Sequence, residues 1–135
     1  MRKPWATLGL ILFFVVVVVL LVGYSRNEVQ RAYDIKAAVH ATGGDPDRGK
    51  DKIRYYGCST CHTIPGIQEA NGKVGPPLAA FALRIYIAGE VPNTPDNLRH
   101  WIRDPHAIEQ HTAMPEMNVT DQDSRDIAAY LYTLR

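Results

Sequence analysis

The sequence predicts an all-α protein, with one long apolar helix followed by a small helical domain. Three observations predict it. An unbroken apolar run stands near the N-terminus. Helix-start signals recur at Asp45-Pro46, Thr94-Pro95 and Thr120, and no stretch shows the alternation expected of a strand-rich fold.

The apolar run comes first. Every residue from Leu8 to Val22 is apolar or glycine, and Trp5 and Tyr24 bracket it as interfacial aromatics do. From Trp5 to Tyr24 a helix would cover roughly 30 Å, the thickness of a bilayer's hydrocarbon core. Residues 1–24 are therefore read as an uncleaved transmembrane anchor, with residues 5–24 in the membrane. A signal peptide is the rival reading. The run is long for one, Gly23-Tyr24-Ser25-Arg26 is a poor cleavage site, and no cysteine is placed for lipidation. Arg2 and Lys3 precede the span and orient the N-terminus toward the cytoplasm, so the remainder lies outside. Of 15 Lys and Arg those two lie before the span, leaving 13 beyond it against 14 Asp and Glu. Such a balance, without a dense basic run, excludes a nucleic-acid partner.

Residues 25–44 read as a polar helix in which Val29, Tyr33 and Ala37 recur at four-residue spacing. It continues the anchor helix until Gly43-Gly44 stops it, as a solvated stalk or a docking surface; the stalk is the default. The domain proper spans residues 45–135. Asp45 caps its first helix with Pro46 at the first helical position, and the helix runs to about Tyr56. A Gly/Pro-rich loop from Pro65 to Pro77 leads to a short helix around Leu78 to Arg84. Thr94 caps a helix that ends before Pro105. Thr120 caps the last one, with Asp121 and Asp123 in its first turn and Ile127, Tyr130, Leu131 and Leu134 as its apolar stripe.

The chemistry is concentrated in Cys58-Ser59-Thr60-Cys61-His62, which contains both cysteines of the chain. Two thiols about one helical turn apart can each add to a vinyl group on one edge of a porphyrin. An imidazole on the next residue then lies under the ring, within reach of iron. This is the attachment signature of a c-type haem. A zinc site would want further Cys or His ligands, and no second C-x-x-C exists. A redox dithiol of the thioredoxin type would want alternating strands and helices.

The ligand on the other face of the iron decides between electron transfer and open-site chemistry. Beyond the anchor the only methionines are Met114 and Met117. Met114 precedes Pro115, whose fixed φ and missing N–H would present the thioether on a stiff loop. Met114 is the preferred ligand and Met117 the alternative. His40, His100, His106 and His111 are rivals, with His111 nearest the loop in sequence.

Taken in order, Gly57-Cys58-Ser59-Thr60-Cys61-His62, Gly75-Pro76-Pro77-Leu78, Ala113-Met114-Pro115 and Asp126-Ile127-Ala128-Ala129-Tyr130-Leu131 resemble a class I, His/Met-ligated monohaem cytochrome c. The stretch Tyr86 to Pro95 leading to Trp101 is similar to the haem domains attached to bacterial haem–copper oxidases. The resemblance covers about Asp45 to Arg135. It implies the cytochrome c fold, in which N- and C-terminal helices cross and short helices surround the haem. It also implies one haem c bound through Cys58 and Cys61 with His62 and Met114 as iron ligands. Pro76 would accept a hydrogen bond from the other nitrogen of His62. Gly49 would permit a close helix crossing with Tyr130 packed over it, and Arg84, Tyr86 and Trp101 are candidates to meet the propionates. The anchor and the lack of a lysine-rich face depart from the soluble members.

The expected function is non-enzymatic: single-electron transfer in a respiratory chain, from a quinol-oxidising complex or other donor to a terminal oxidase. The site would be the extracytoplasmic, periplasmic side of a bacterial cytoplasmic membrane. The alternatives are a fixed haem-bearing subunit of a larger respiratory complex, a gas sensor or haem enzyme with an open iron site, and a tethered dithiol protein without haem.

Overall fold

A computed structural model describes residues 4–135, so Arg2 and Lys3, on which the expected orientation rests, lie outside the described residues. The chain divides into two compact units, one ending at Tyr33 and the other spanning Asp34–Arg135. In the first, α1 (Pro4–Thr42) exposes the apolar side chains from Leu8 to Val22, with only Val17 half-buried. Its most apolar stretch reaches a mean hydropathy of 2.9, and α1 is long and apolar enough to cross a membrane.

The second unit contains the last nine residues of α1, together with α2 (Pro46–Tyr55), a two-residue hairpin of β1 (Tyr86–Ile87) and β2 (Val91–Pro92), α3 (Pro95–Arg103) and α4 (Asp121–Tyr132). The architecture is mostly helical, as the sequence predicts. Asp45, Thr94 and Thr120 each cap as expected, accepting respectively from the N–H groups of Asp47 and Arg48, of Asn97, and of Asp123. The core is apolar and built across all these elements: Ile53 from α2, Ile64 and Phe81 from the intervening loop, Leu98 and Ile102 from α3, and Ile127 and Leu131 from α4.

The crossing of α2 over α4 sets the geometry. A side-chain carbon added at Gly49 would run into the backbone of Asp126 and Ile127, and one at Gly44 into the backbone of Arg125. Only glycine permits so close an approach. Asp126 then ties the crossing. Its carboxylate is 1% exposed and accepts from the Asp45 N–H at 2.8 Å, Arg48 Nε at 2.9 Å, Arg48 Nη2 at 3.0 Å and Gln122 Nε2 at 3.1 Å. The α4 backbone lies against Gly49, and the Tyr130 hydroxyl donates to the Pro65 carbonyl at 2.6 Å, close to Gly66.

Three points differ from the sequence reading. The segment expected as a solvated stalk is not solvated throughout. Val29 and Tyr33 are exposed, and the buried positions are one residue along, at Asp34, Ala38 and Thr42. Polarity hid them: Asp34 is paired with Arg135 Nε at 3.0 Å, and the Thr42 hydroxyl is satisfied by the Ala38 carbonyl at 2.8 Å. The compact unit accordingly begins inside the segment expected as a stalk. The helix expected from Leu78 to Arg84 shrinks to a single 3-10 turn, Phe81–Leu83. Pro76 and Pro77 lack donors, and Ala80 takes a left-handed φ of 51°, so no longer helix can form. The hairpin was not foreseen. Its turn places Ala88 (φ 54°) and Gly89 (φ 82°) in left-handed conformations, where the readable signal would be Asn-Gly.

Burial alone would raise the Asp126 carboxyl, but the donations from Arg48, the Asp45 N–H and Gln122 outweigh it and hold the group below the usual range. A depressed carboxylate stabilises the fold above its unfolded pKa of about 3.9, and that contribution is lost as pH falls through the lower folded value. Asp126→Asn should therefore cost about 2 kcal/mol at pH 7, discounted because Arg48 is exposed. Denaturant unfolding at pH 7 and pH 3 checks this: the gap between wild type and variant narrows at the lower pH.

Candidate functional site

The site begins where α2 stops. Gly57 takes a left-handed φ of 69°, ending the helix and turning the chain into the 3-10 segment Cys58–Thr60. The Cys58 carbonyl accepts from the N–H groups of Cys61 (3.3 Å) and His62 (3.0 Å), which winds both thiols and the imidazole onto one short coil. All three line the same cavity, of about 460 Å³, within the size range of cofactor pockets. Ile53, Ile64, Leu78, Phe81, Ile87 and Leu98 give it an apolar interior, and Met114 and Met117 lie on its wall.

His62 is fixed by one hydrogen bond. Its Nδ1 lies 2.8 Å from the carbonyl oxygen of Pro76. A carbonyl can only accept, so Nδ1 carries the proton and the neutral ring keeps its lone pair on Nε2, the form that binds a metal. The loop that supplies Pro76 is pinned on either side. Gly75 N–H donates to the Cys61 carbonyl and Leu78 N–H to the Thr63 carbonyl, both at 2.8 Å. Gly75 has no room for a side chain, because an added carbon would collide with the His62 ring.

Cys58 and Cys61 are free thiols. Burial pushes the Cys58 thiol up, with Cys61 adding in the same direction against a backbone hydrogen bond. The activated thiolate of a dithiol oxidoreductase needs the opposite shift. Among the described residues no three His, Cys, Asp or Glu side chains gather as a metal-binding group. The donor set therefore fits a porphyrin iron. Two thiols, one imidazole with a free Nε2 and thioethers share one largely apolar space.

Of the remaining candidates, Arg84 and Trp101 line the cavity, both half-buried. Arg84 donates through Nη2 to the Pro77 carbonyl and lies over the Phe81 ring, 5.1 Å from its centroid. Tyr86 does not line the cavity. It is exposed on the outer face of β1, where strand alternation turns Ile87 inward instead. None of His40, His100, His106 and His111 lines it either, and each is exposed. Met114 is half-buried, with its N–H donating to Thr112 Oγ1 at 3.2 Å, whereas Met117 is 40% exposed. Glu109 and Thr112 also line the cavity. Nothing in their sequence surroundings marks them, since neither belongs to a spaced motif.

The family model for cytochrome c matches residues 46–135. The chain belongs to the cytochrome c family. As a cytochrome c domain it is a haem protein that carries electrons. Among curated proteins it is similar to cytochrome c oxidase subunit 2 of Alkalihalophilus pseudofirmus (strain ATCC BAA-2126 / JCM 17055 / OF4), 32% identical over 90 residues. That match covers 66% of this chain and 25% of the relative. Cytochrome c oxidase subunit 2 of Bacillus sp. (strain PS3) is 28% identical over 82 residues, covering 58% of this chain and 23% of the relative. The Bacillus subtilis (strain 168) protein of the same name is 28% identical over 87 residues, 63% and 24% of the two chains. The matched region thus spans about a quarter of the length of these relatives. No solved structure matches the cytochrome.

Gly75→Ala should push the His62 ring off its Pro76 partner and leave most of the protein without attached haem. The control Gly23→Ala, with open space around the added carbon, should keep full haem content. Haem absorbance per mole of purified chain checks both.

Proposed function

We propose that this cytochrome is a membrane-tethered monohaem c-type carrier that delivers single electrons to a terminal oxidase. One haem c would be attached through Cys58 and Cys61, with His62 and Met114 as the axial ligands. The observation that supports this reading best is the shared cavity. A tethering dithiol, an imidazole with its proton committed to Pro76, and a half-buried methionine before a proline all border one apolar space.

The bound haem supplies the ferric–ferrous couple; the chain supplies everything else. Pro76 orients the imidazole and strengthens its basicity by accepting from Nδ1. The apolar wall would exclude water, which favours the less charged ferrous state, and the Met114 thioether as an iron ligand would do the same. Arg84 and Trp101, as wall residues with remaining donors, are placed to meet the propionates. No bond to a substrate is made or broken, so the fold needs no general acid or base beside the cavity.

Residues 1–24 form the anchor, residues 25–44 continue its helix, and residues 45–135 form the haem domain, in a single-pass arrangement on the periplasmic side of a bacterial cytoplasmic membrane. The donor would be a quinol-oxidising complex or another redox protein. A second reading makes the chain a fixed haem-bearing subunit of an oxidase complex. It is favoured by the relatives, each named as cytochrome c oxidase subunit 2. Copurification in mild detergent separates the two: oxidase subunits stay with a fixed subunit and are lost from a mobile carrier.

With His62 and Met114 both bound to the iron, no place would be left for a small ligand. The reduced wild-type protein should not bind carbon monoxide. Met114→Ala should lose the methionine–iron charge-transfer band and bind carbon monoxide, whereas Met117→Ala should do neither. Absorption spectra of the oxidised proteins check the charge-transfer band and difference spectra of the reduced proteins check carbon monoxide binding; binding by the wild type would point to the sensor or enzyme alternative.

A further inference from the structure

Pro76 and Pro77 have no N–H groups, so this stretch cannot anchor itself by donating. Its carbonyls are held by what donates to them, beside the flanking backbone bonds of Gly75 and Leu78. His62 donates to Pro76, and Arg84 donates to Pro77 through Nη2, with Ala79 O a further 3.5 Å contact. The placement of Arg84 is itself over-determined. The side-chain amide of Asn93 donates to two carbonyls, those of Phe81 and Arg84, both at 3.1 Å, and so closes the turn from which Arg84 projects. The Asn93 N–H donates to the Ile85 carbonyl at 2.8 Å. Asn93 Oδ1 in turn accepts from the Tyr132 hydroxyl at 2.9 Å. The Tyr132 ring packs edge-on against Phe81, centroids 6.3 Å apart, and the Arg84 guanidinium lies over the same Phe81 ring. Neither Asn93 nor Tyr132 lines the haem cavity.

Resting on the haem reading above, we infer that Asn93, held by Tyr132, is a positioning residue for the axial imidazole. It fixes the turn 81–84 so that Arg84 clamps the Pro77 carbonyl, and with it the neighbouring Pro76 carbonyl that accepts from His62. The last turn of α4 thereby reaches the iron ligand through three side chains, Tyr132, Asn93 and Arg84, and two prolines. Burial pushes the Tyr132 phenol up to about 12, so the hydroxyl remains a donor across the neutral range. Loosening the strut frees the Pro76 carbonyl, weakens the Nδ1–H bond and lowers the basicity of the imidazole. A less basic ligand favours the ferrous state, so the potential moves positive.

The test uses the full-length haem-loaded protein in detergent, in wild-type form and as Asn93→Ala, Tyr132→Phe, Arg84→Ala and Arg84→Lys. Two quantities are read: solvent exchange of the His62 Nδ1 proton by NMR, and the midpoint potential. Asn93→Ala and Tyr132→Phe should speed the exchange by about tenfold, the equivalent of losing roughly one hydrogen bond, and shift the potential positive. Arg84→Ala should do the same and Arg84→Lys less. Tyr132→Phe keeps the ring contact with Phe81, so it decides the matter even if Asn93→Ala does not accumulate. Wild-type exchange and potential in Tyr132→Phe and the Arg84 variants would overturn the inference, whatever happens to thermal stability. A wild-type protein without attached haem would instead overturn the reading on which it rests.

Discussion

A single hydrogen bond, from His62 Nδ1 to the Pro76 carbonyl, is the constraint around which this domain is organised. It fixes the tautomer of the imidazole and hence which nitrogen is available to iron. A loop rich in glycine and proline would not hold a carbonyl to that tolerance unaided. The neighbouring backbone bonds from Gly75 and Leu78, and the absence of a side chain at Gly75, narrow its position from both ends. Weakening any of these leaves the thiols in place but lets the ring turn.

The helices serve the same end at longer range. Attachment through two thiols fixes one edge of a porphyrin, and the remaining edges need walls. α2 delivers the Cys58–His62 coil at its C-terminus, and α4 backs the cavity with Ile127 and Leu131. Their separation is set by Gly44 and Gly49 on one side and by the α4 backbone on the other. Asp126 holds that contact with four donated hydrogen bonds, which compensates for burying a carboxylate. The polar lock is placed at the crossing, away from the cavity, so the space beside the iron remains apolar.

Much of this was legible in the chain. The Cys58–His62 spacing, the three caps and the Ile127–Leu131 stripe each depend on residues near one another in sequence, where chemistry and period can be read directly. What escaped depends on partners far apart. The buried face of the last turns of α1 is Asp34, Ala38 and Thr42, because Arg135 and a backbone carbonyl satisfy the polar members; their polar neighbourhood reads in sequence as a solvated stalk. The family resemblance offers Tyr86 for the propionates, whereas the strand leaves it on the exposed face, one step from the buried Ile87. Asn93 lies in the Tyr86–Pro95 stretch with no role of its own in the sequence, and its double donation to Phe81 and Arg84 is visible only once the hairpin has folded.

Everything said of electron transfer requires a porphyrin covalently joined to this polypeptide. The most direct measurement is the intact mass of the wild-type chain purified from membranes, alongside a Cys58→Ala/Cys61→Ala double variant. The account predicts one haem mass added to the wild type and none to the variant. A wild-type chain at the mass of the polypeptide alone would contradict it.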